Sequence, residues 1–128
     1  MKLRTRSGSI RLRVTQAEVA RLAGGEAVEE VVDVGPAAAL VYRLVAREAA
    51  TTIAAHLEGA TLTIELPSAE VREWAASVHR VGLEATQPIE GRAALGILVE
   101  KDFACLAPRA GEDDDAFPNP AASRGARC

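Results

Sequence analysis

Lys2-Leu-Arg-Thr-Arg-Ser-Gly-Ser-Ile-Arg-Leu-Arg-Val-Thr-Gln-Ala-Glu18 is the stretch on which the reading of this chain turns. Charged and uncharged residues alternate on both sides of Ser7-Gly8, which combines the period of a strand with the turn signal of a hairpin. A two-residue turn there pairs Thr5 with Ile10, Arg4 with Arg11, Leu3 with Leu12 and Lys2 with Arg13. Leu3, Thr5, Ile10 and Leu12 then line one face, while Lys2, Arg4, Arg6, Arg11 and Arg13 all line the other. Like charges directly opposed across a sheet destabilise it by roughly a few tenths of a kcal/mol per pair or more, so this face calls for an anion to cover it. Long Lys and Arg stems lying over an exposed sheet face are the alternative. The period changes at Thr15, where Thr15-Gln-Ala-Glu18 is a capping-box pattern that opens a helix from Gln16 to about Ala23. Gly24-Gly25 stops it.

Outward from this unit the pattern recurs. Val28 to Val34 and Leu40 to Ala46 read as two strands separated by Gly35-Pro36. Thr51 to Glu58 and Ala60 to Leu66 meet at Gly59 as a second hairpin, and Pro67-Ser68-Ala69-Glu70 opens a second helix that runs to about Ser77. Arg80 to Thr86 and Leu95 to Lys101 are the last strands, joined by a loop from Gln87-Pro88 to Gly91. Beyond Leu106 the periodicity ends.

The order is therefore ββαββ twice. Ile10-Arg-Leu-Arg-Val14 falls on Leu62-Thr-Ile-Glu-Leu66 at an offset of 52, with Leu22 on Trp74, and Ala39-Leu40 falls on Ala94-Leu95 at an offset of 55. Such self-similarity is the mark of symmetric supersecondary units. The expected fold is α+β: two duplicated ββαββ units, residues 2–46 and 54–100, forming an antiparallel sheet or closed barrel of about eight strands with two helices. Leu3, Ile10, Leu12, Leu22, Leu57, Leu62, Ile64 and Trp74 should form its core. Residues 1–106 are expected as one globular domain and 107–128 as an acidic, Pro-containing tail.

The chain has 128 residues, 15 Lys+Arg against 18 Asp+Glu and 48% apolar residues, the composition of a single soluble domain. The uncharged run from Val34 to Tyr42 is far short of the ~20 residues of a membrane span, and no apolar block of a secretory leader stands at the start, so the expected compartment is the cytoplasm without a membrane partner. A net charge of −3 and 3% aromatic residues disfavour nucleic acid as a partner. Cys105 and Cys128 read as two free thiols, although a bridge between them would staple the tail to the last strand. His56 and His79 lie far apart, and no close-spaced Cys or His pair exists for zinc. No metal, cofactor or catalytic residue is expected.

In the second hairpin the face equivalent to the basic one carries His56, Glu58, Thr61, Thr63 and Glu65. Three accounts of the charge follow: the two faces oppose each other inside a barrel, the basic face binds an external anion, or it binds the chain's own tail. The tail offers Glu112-Asp113-Asp114-Asp115 followed by Ala116-Phe117-Pro118-Asn119-Pro120. Charge that steers, a ring that fills a pocket and Pro that lowers the ordering cost are the parts of a docking segment. Asp113, Asp114, Asp115 and Phe117 are its candidate contacts. Three consecutive Asp residues lack the spacing and glycine of a calcium loop.

Four segments, Ser9–Val19, Val81–Pro88, Ile97–Leu106 and Asp114–Pro120, resemble a family of small bacterial proteins known as a domain of unknown function; Glu100-Lys-Asp-Phe103…Cys105 and Ala116-Phe-Pro-Asn-Pro120 are the most specific parts. The resemblance carries no activity and no site residue. A second likeness is to the triphosphate tunnel enzymes, through Arg11-Leu-Arg13, although Lys2-x-Arg4-x-Arg6 stands where their opening Glu-x-Glu-x-Lys strand would hold the metal.

The function expected from these residues is a non-enzymatic binding or interaction module. Its anion-binding residues are Lys2, Arg4, Arg6, Arg11 and Arg13, and its partner is the chain's own acidic tail, an acidic protein or a small anion. The alternative is a phosphate-ester hydrolase inside the barrel, with Arg4, Arg11 and Arg13 gripping phosphates and Glu58, Glu65 and Glu100 holding a metal.

Overall fold

Ser7-Gly8 closes an antiparallel hairpin between β1 (Lys2–Arg6) and β2 (Ser9–Val14), with Thr5 opposite Ile10, Arg4 opposite Arg11 and Lys2 opposite Arg13. Gly8 sits at φ +84, a conformation that side-chain-bearing residues rarely adopt, and so fixes the turn and with it the register. These strands belong to a computed structural model that describes residues 1–103 together with 115, 117, 118 and 120. Helix α1 (Gln16–Ala23) follows at once. The Thr15 side chain accepts from Glu18 N at 3.3 Å while Thr15 N donates to Glu18 Oε1 at 3.0 Å, so two backbone donors at this helix start are satisfied reciprocally.

The remaining elements are β3 (Val28–Gly35), β4 (Ala38–Arg47), β5 (Ala54–Glu58), β6 (Thr61–Pro67), α2 (Ser68–Ala76), β7 (Gly82–Ile89) and β8 (Arg92–Lys101). β7 starts two residues later than expected, at Gly82, but β7 and β8 both run further toward their shared turn, because the chain turns tightly at Glu90-Gly91, with Gly91 at φ +73, and a bulge between Gln87 and Ile89 absorbs Pro88.

The eight strands form two four-stranded sheets, in the orders β1-β2-β8-β7 and β3-β4-β6-β5, rather than one antiparallel sheet or a closed barrel. Each sheet takes one hairpin from either half of the chain, and the two hairpins meet as a parallel pair, β2 with β8 and β4 with β6. Alternation records which face a residue lines and carries nothing about the direction of the neighbouring strand. Corresponding pairs recur in the two halves: Lys2–Arg13 with Ala54–Glu65, Ile10–Ile97 with Leu62–Tyr42, and Val28–Leu44 with Leu83–Val99.

Among the described residues, side chains and the chain's amino group rather than a strand ladder span the gaps between the sheets, so the two sheets do not close into a barrel. At one seam Ala55 N donates to Gln87 Oε1 at 2.7 Å and Gln87 Nε2 donates to Ala55 O at 3.1 Å. At the other the Met1 amino group lies 2.9 Å from Glu18 Oε2 and 3.2 Å from Glu30 Oε1, and Tyr42 Oη donates to Met1 O at 3.3 Å.

The apolar faces turn inward. Leu12 and Val14 from β2, Leu44 from β4, Ile64 and Leu66 from β6 and Val99 from β8 are fully buried, together with Leu22 of α1 and Trp74 of α2. Leu3, Ile10 and Leu62 pack partly buried against this cluster. Leu57 does not join it. It is 72% exposed, because β5 is an edge strand and Leu57 stands next to the turn, with a strand on one side only. Among the described residues no helix is long and apolar enough to cross a membrane.

Candidate functional site

The charged faces of both hairpins are the outer faces of their sheets, opposite to the buried Leu12 and Ile64, so they do not confront each other in an interior. On the first sheet the parallel register sets Glu100 of β8 beside Arg13. Its Oε1 accepts from Arg13 Nε at 2.8 Å and also from Arg11. Gly82 of β7 pairs with Glu100 from the other side, and a Cβ there would stand 2.8 Å from Val99 O, so the close approach at this position requires glycine. Asp102, just past β8, lies 3.3 Å from Lys2 Nζ through Oδ2.

Two carboxylates thus answer three of the five cations. Among the described residues none pairs with Arg4 or Arg6, both exposed. Lys2, Arg4, Arg11 and Arg13, with Leu3, line a hollow of about 120 Å³ on this face. All five residues expected to bind an anion therefore share one surface, and four of them share one hollow. The part played by Asp102, and Glu100 as a partner of arginines, were not read from the sequence. The signal was the alternation Glu100-Lys101-Asp102 at the end of a strand, and it becomes readable only once β8 is known to run beside β2.

The described part of the tail lies elsewhere. Asp115 O accepts from Gln16 N at 3.0 Å and its Oδ2 accepts from Ala17 N at 3.2 Å, so it supplies acceptors to donors at the start of α1 that the capping box leaves over. Phe117 N donates to Asp102 O at 2.7 Å, extending the β8 line by one parallel bridge from Phe117 to Phe103. The two rings meet edge to face with centroids 6.0 Å apart. For Asp115 and Phe117 the seat is thus the start of α1 and the end of β8, not the basic hairpin face. Asp113 and Asp114 lie outside the described residues, as do Cys105 and Cys128.

Glu58 and Glu65 stand on the second sheet, whereas Glu100 stands on the first. Glu65 pairs with Arg47 at 2.9 Å and has His56 Nε2 at 4.0 Å. Among the described residues no group of three or more His, Cys, Asp or Glu side chains is placed to hold a metal ion. Burial lowers the Lys101 ammonium from its ordinary range. Burial first, then the charges of Glu30 and Glu18, raise the Tyr42 phenol.

An α+β protein of two hairpin-exchanged sheets, with a cationic outer face, Asp115 seated on its first helix and Phe117 at the end of β8, is the class these features define. The chain belongs to a family of unknown function, DUF7009, whose sequence model matches residues 1–121 and so runs through Phe117. Neither the curated proteins nor the solved structures contain a match to it.

Proposed function

We propose that this protein is a non-enzymatic binding module whose basic hairpin face holds an anionic segment or a small anion. One observation carries the reading: Lys2, Arg4, Arg11 and Arg13 converge on a hollow of about 120 Å³ in which Arg4 has no carboxylate among the described residues. Such a hollow suits a single carboxylate or phosphate-sized oxyanion, and guanidinium groups bind both in forked geometry. Glu100 and Asp102 pair with Arg11, Arg13 and Lys2, contacts that an incoming anion can exchange. Because Asp115 is engaged on α1, the anion comes from another molecule or from another part of the chain. We also propose that the two halves are copies of one ββαββ unit, a reading supported by the matched pairings. The second copy then retains the hairpin but has exchanged its cations for His56, Thr63 and Glu65.

Calorimetric titration with inorganic pyrophosphate and with a short poly-aspartate peptide tests the binding. Affinity for at least one of them that falls at least tenfold in Arg4→Gln/Arg6→Gln is expected. Equal binding by the wild type and this variant, or none by the wild type, overturns the reading.

A further inference from the structure

Beside the seat of the tail lies a cleft of about 600 Å³, separate from the hollow on the basic face. Phe103, Phe117 and Pro118 supply apolar wall, and Val78, 79% exposed, lies at its opening. Lys101 also lines it, yet is only 4% exposed. Its Nζ donates to Ser77 O at 2.6 Å and stands 6.0 Å from the Trp74 ring centroid and 5.0 Å from that of Phe117.

Lys101 differs from the other buried charges. Glu18, Glu100 and Asp102 each have an oppositely charged partner, whereas among the described residues no carboxylate meets Lys101. An ammonium has three donors, of which Ser77 O takes one, and two aromatic faces compensate a desolvated cation only in part. A buried cation facing a cleft and lacking an anion is a recognition element for one. The lining favours a ligand of low charge: Lys101 is the single Lys or Arg among the described lining residues and His79 the one other basic side chain, which matches one negative charge better than the two or more of a phosphate ester. The aromatic and proline walls call for an apolar body behind that charge.

We propose that this cleft binds a small monocarboxylate with an apolar body, its carboxylate meeting Lys101 and its body lying against Phe103, Phe117 and Val78. The tail forms part of the wall, so the ligand also reinforces the seat of Phe117. The proposal does not depend on the basic face, and the two fail separately.

Octanoate below its micellar range, titrated against the full chain, is the test, read through Trp74, which is the only tryptophan of the sequence. A saturable change is expected, at least tenfold weaker for the neutral octanamide and for Lys101→Met, and unaltered in Arg4→Gln/Arg6→Gln. Should Lys101→Met not fold, Val78→Glu sets a like charge at the opening from an exposed position and is expected to weaken octanoate at least fivefold. No saturable response in the wild type, equal affinity for octanamide, or undiminished binding by Lys101→Met or Val78→Glu overturns the proposal.

Discussion

Arg4 and Arg11 stand directly opposite each other across the first hairpin, and Glu100 neutralises Arg11 but not Arg4. The hairpin thus carries an opposed pair of like charges with one internal counter-ion. In the proposed function, an anion from outside competes with Glu100 for Arg11 and meets no carboxylate of the described residues at Arg4.

Replacing Glu100 with Gln should therefore act in two directions. Loss of a largely buried carboxylate bonded to two guanidinium groups is expected to cost about 1–3 kcal/mol in urea unfolding. Pyrophosphate affinity should rise, since the internal competitor is gone. A variant as stable as the wild type that binds no more tightly would show Glu100 to be incidental to the face.

Phe117→Ala should release the tail. The ring is half-buried, so a loss of about 1–3 kcal/mol is expected. The more specific readout is amide hydrogen exchange at Gln16 and Ala17, whose donors are held by Asp115. Both should exchange faster in the variant, while Val19, bonded to Thr15 O within the first turn, should not.

Residues 1–49 alone should not fold. Their hairpins lie in different sheets, and β2 and β4 find their parallel partners only in the second half. Mixing this fragment with residues 50–128 should restore the strand signal in circular dichroism. A folded, monomeric 1–49 would contradict the exchanged topology.

Lys101 should make stability depend on pH in alkaline solution. Its folded pKa lies below that of the unfolded chain, so the penalty of burial stands in full at any pH below the folded value, where both states are protonated. As pH rises from the lowered folded value toward ~10.4, the unfolded state binds more protons and Lys101 becomes less destabilising. Tyr42, shifted upward, acts in the opposite sense above its ordinary pKa. The difference in urea midpoint between wild type and Lys101→Met isolates the lysine and should move in favour of the wild type over that window. A difference constant with pH would mean that Lys101 titrates as it does in the unfolded chain.

Much of this was legible in the residues. Ser7-Gly8 fixed the first register, Thr15 and Glu18 the start of α1, and Pro67-Ser68-Ala69-Glu70 the start of α2. The partners of the hairpins were not legible: a strand with one buried face reads the same whether its neighbour is parallel or antiparallel, so β8 could not be set beside β2. Glu100 and Asp102 went unread as counter-ions for the same reason. Leu57 had the correct parity for the core but sits at the end of an edge strand, where parity does not ensure cover. The seat of Phe117 depends on Asp102 and Phe103, which no local pattern links to the tail.

The central claim, an anion held on the basic face, is tested most directly by following the side-chain Nε–H resonances of the arginines by NMR while inorganic pyrophosphate is added at low salt. The account predicts saturable shifts of Arg4 and Arg11 with one common midpoint, weakened by added salt, while Arg72, paired with Glu48 at 2.7 Å on another surface, stays unmoved. Equal, unsaturated drift of all arginines, or saturation at Arg72 with Arg4 unmoved, would contradict it.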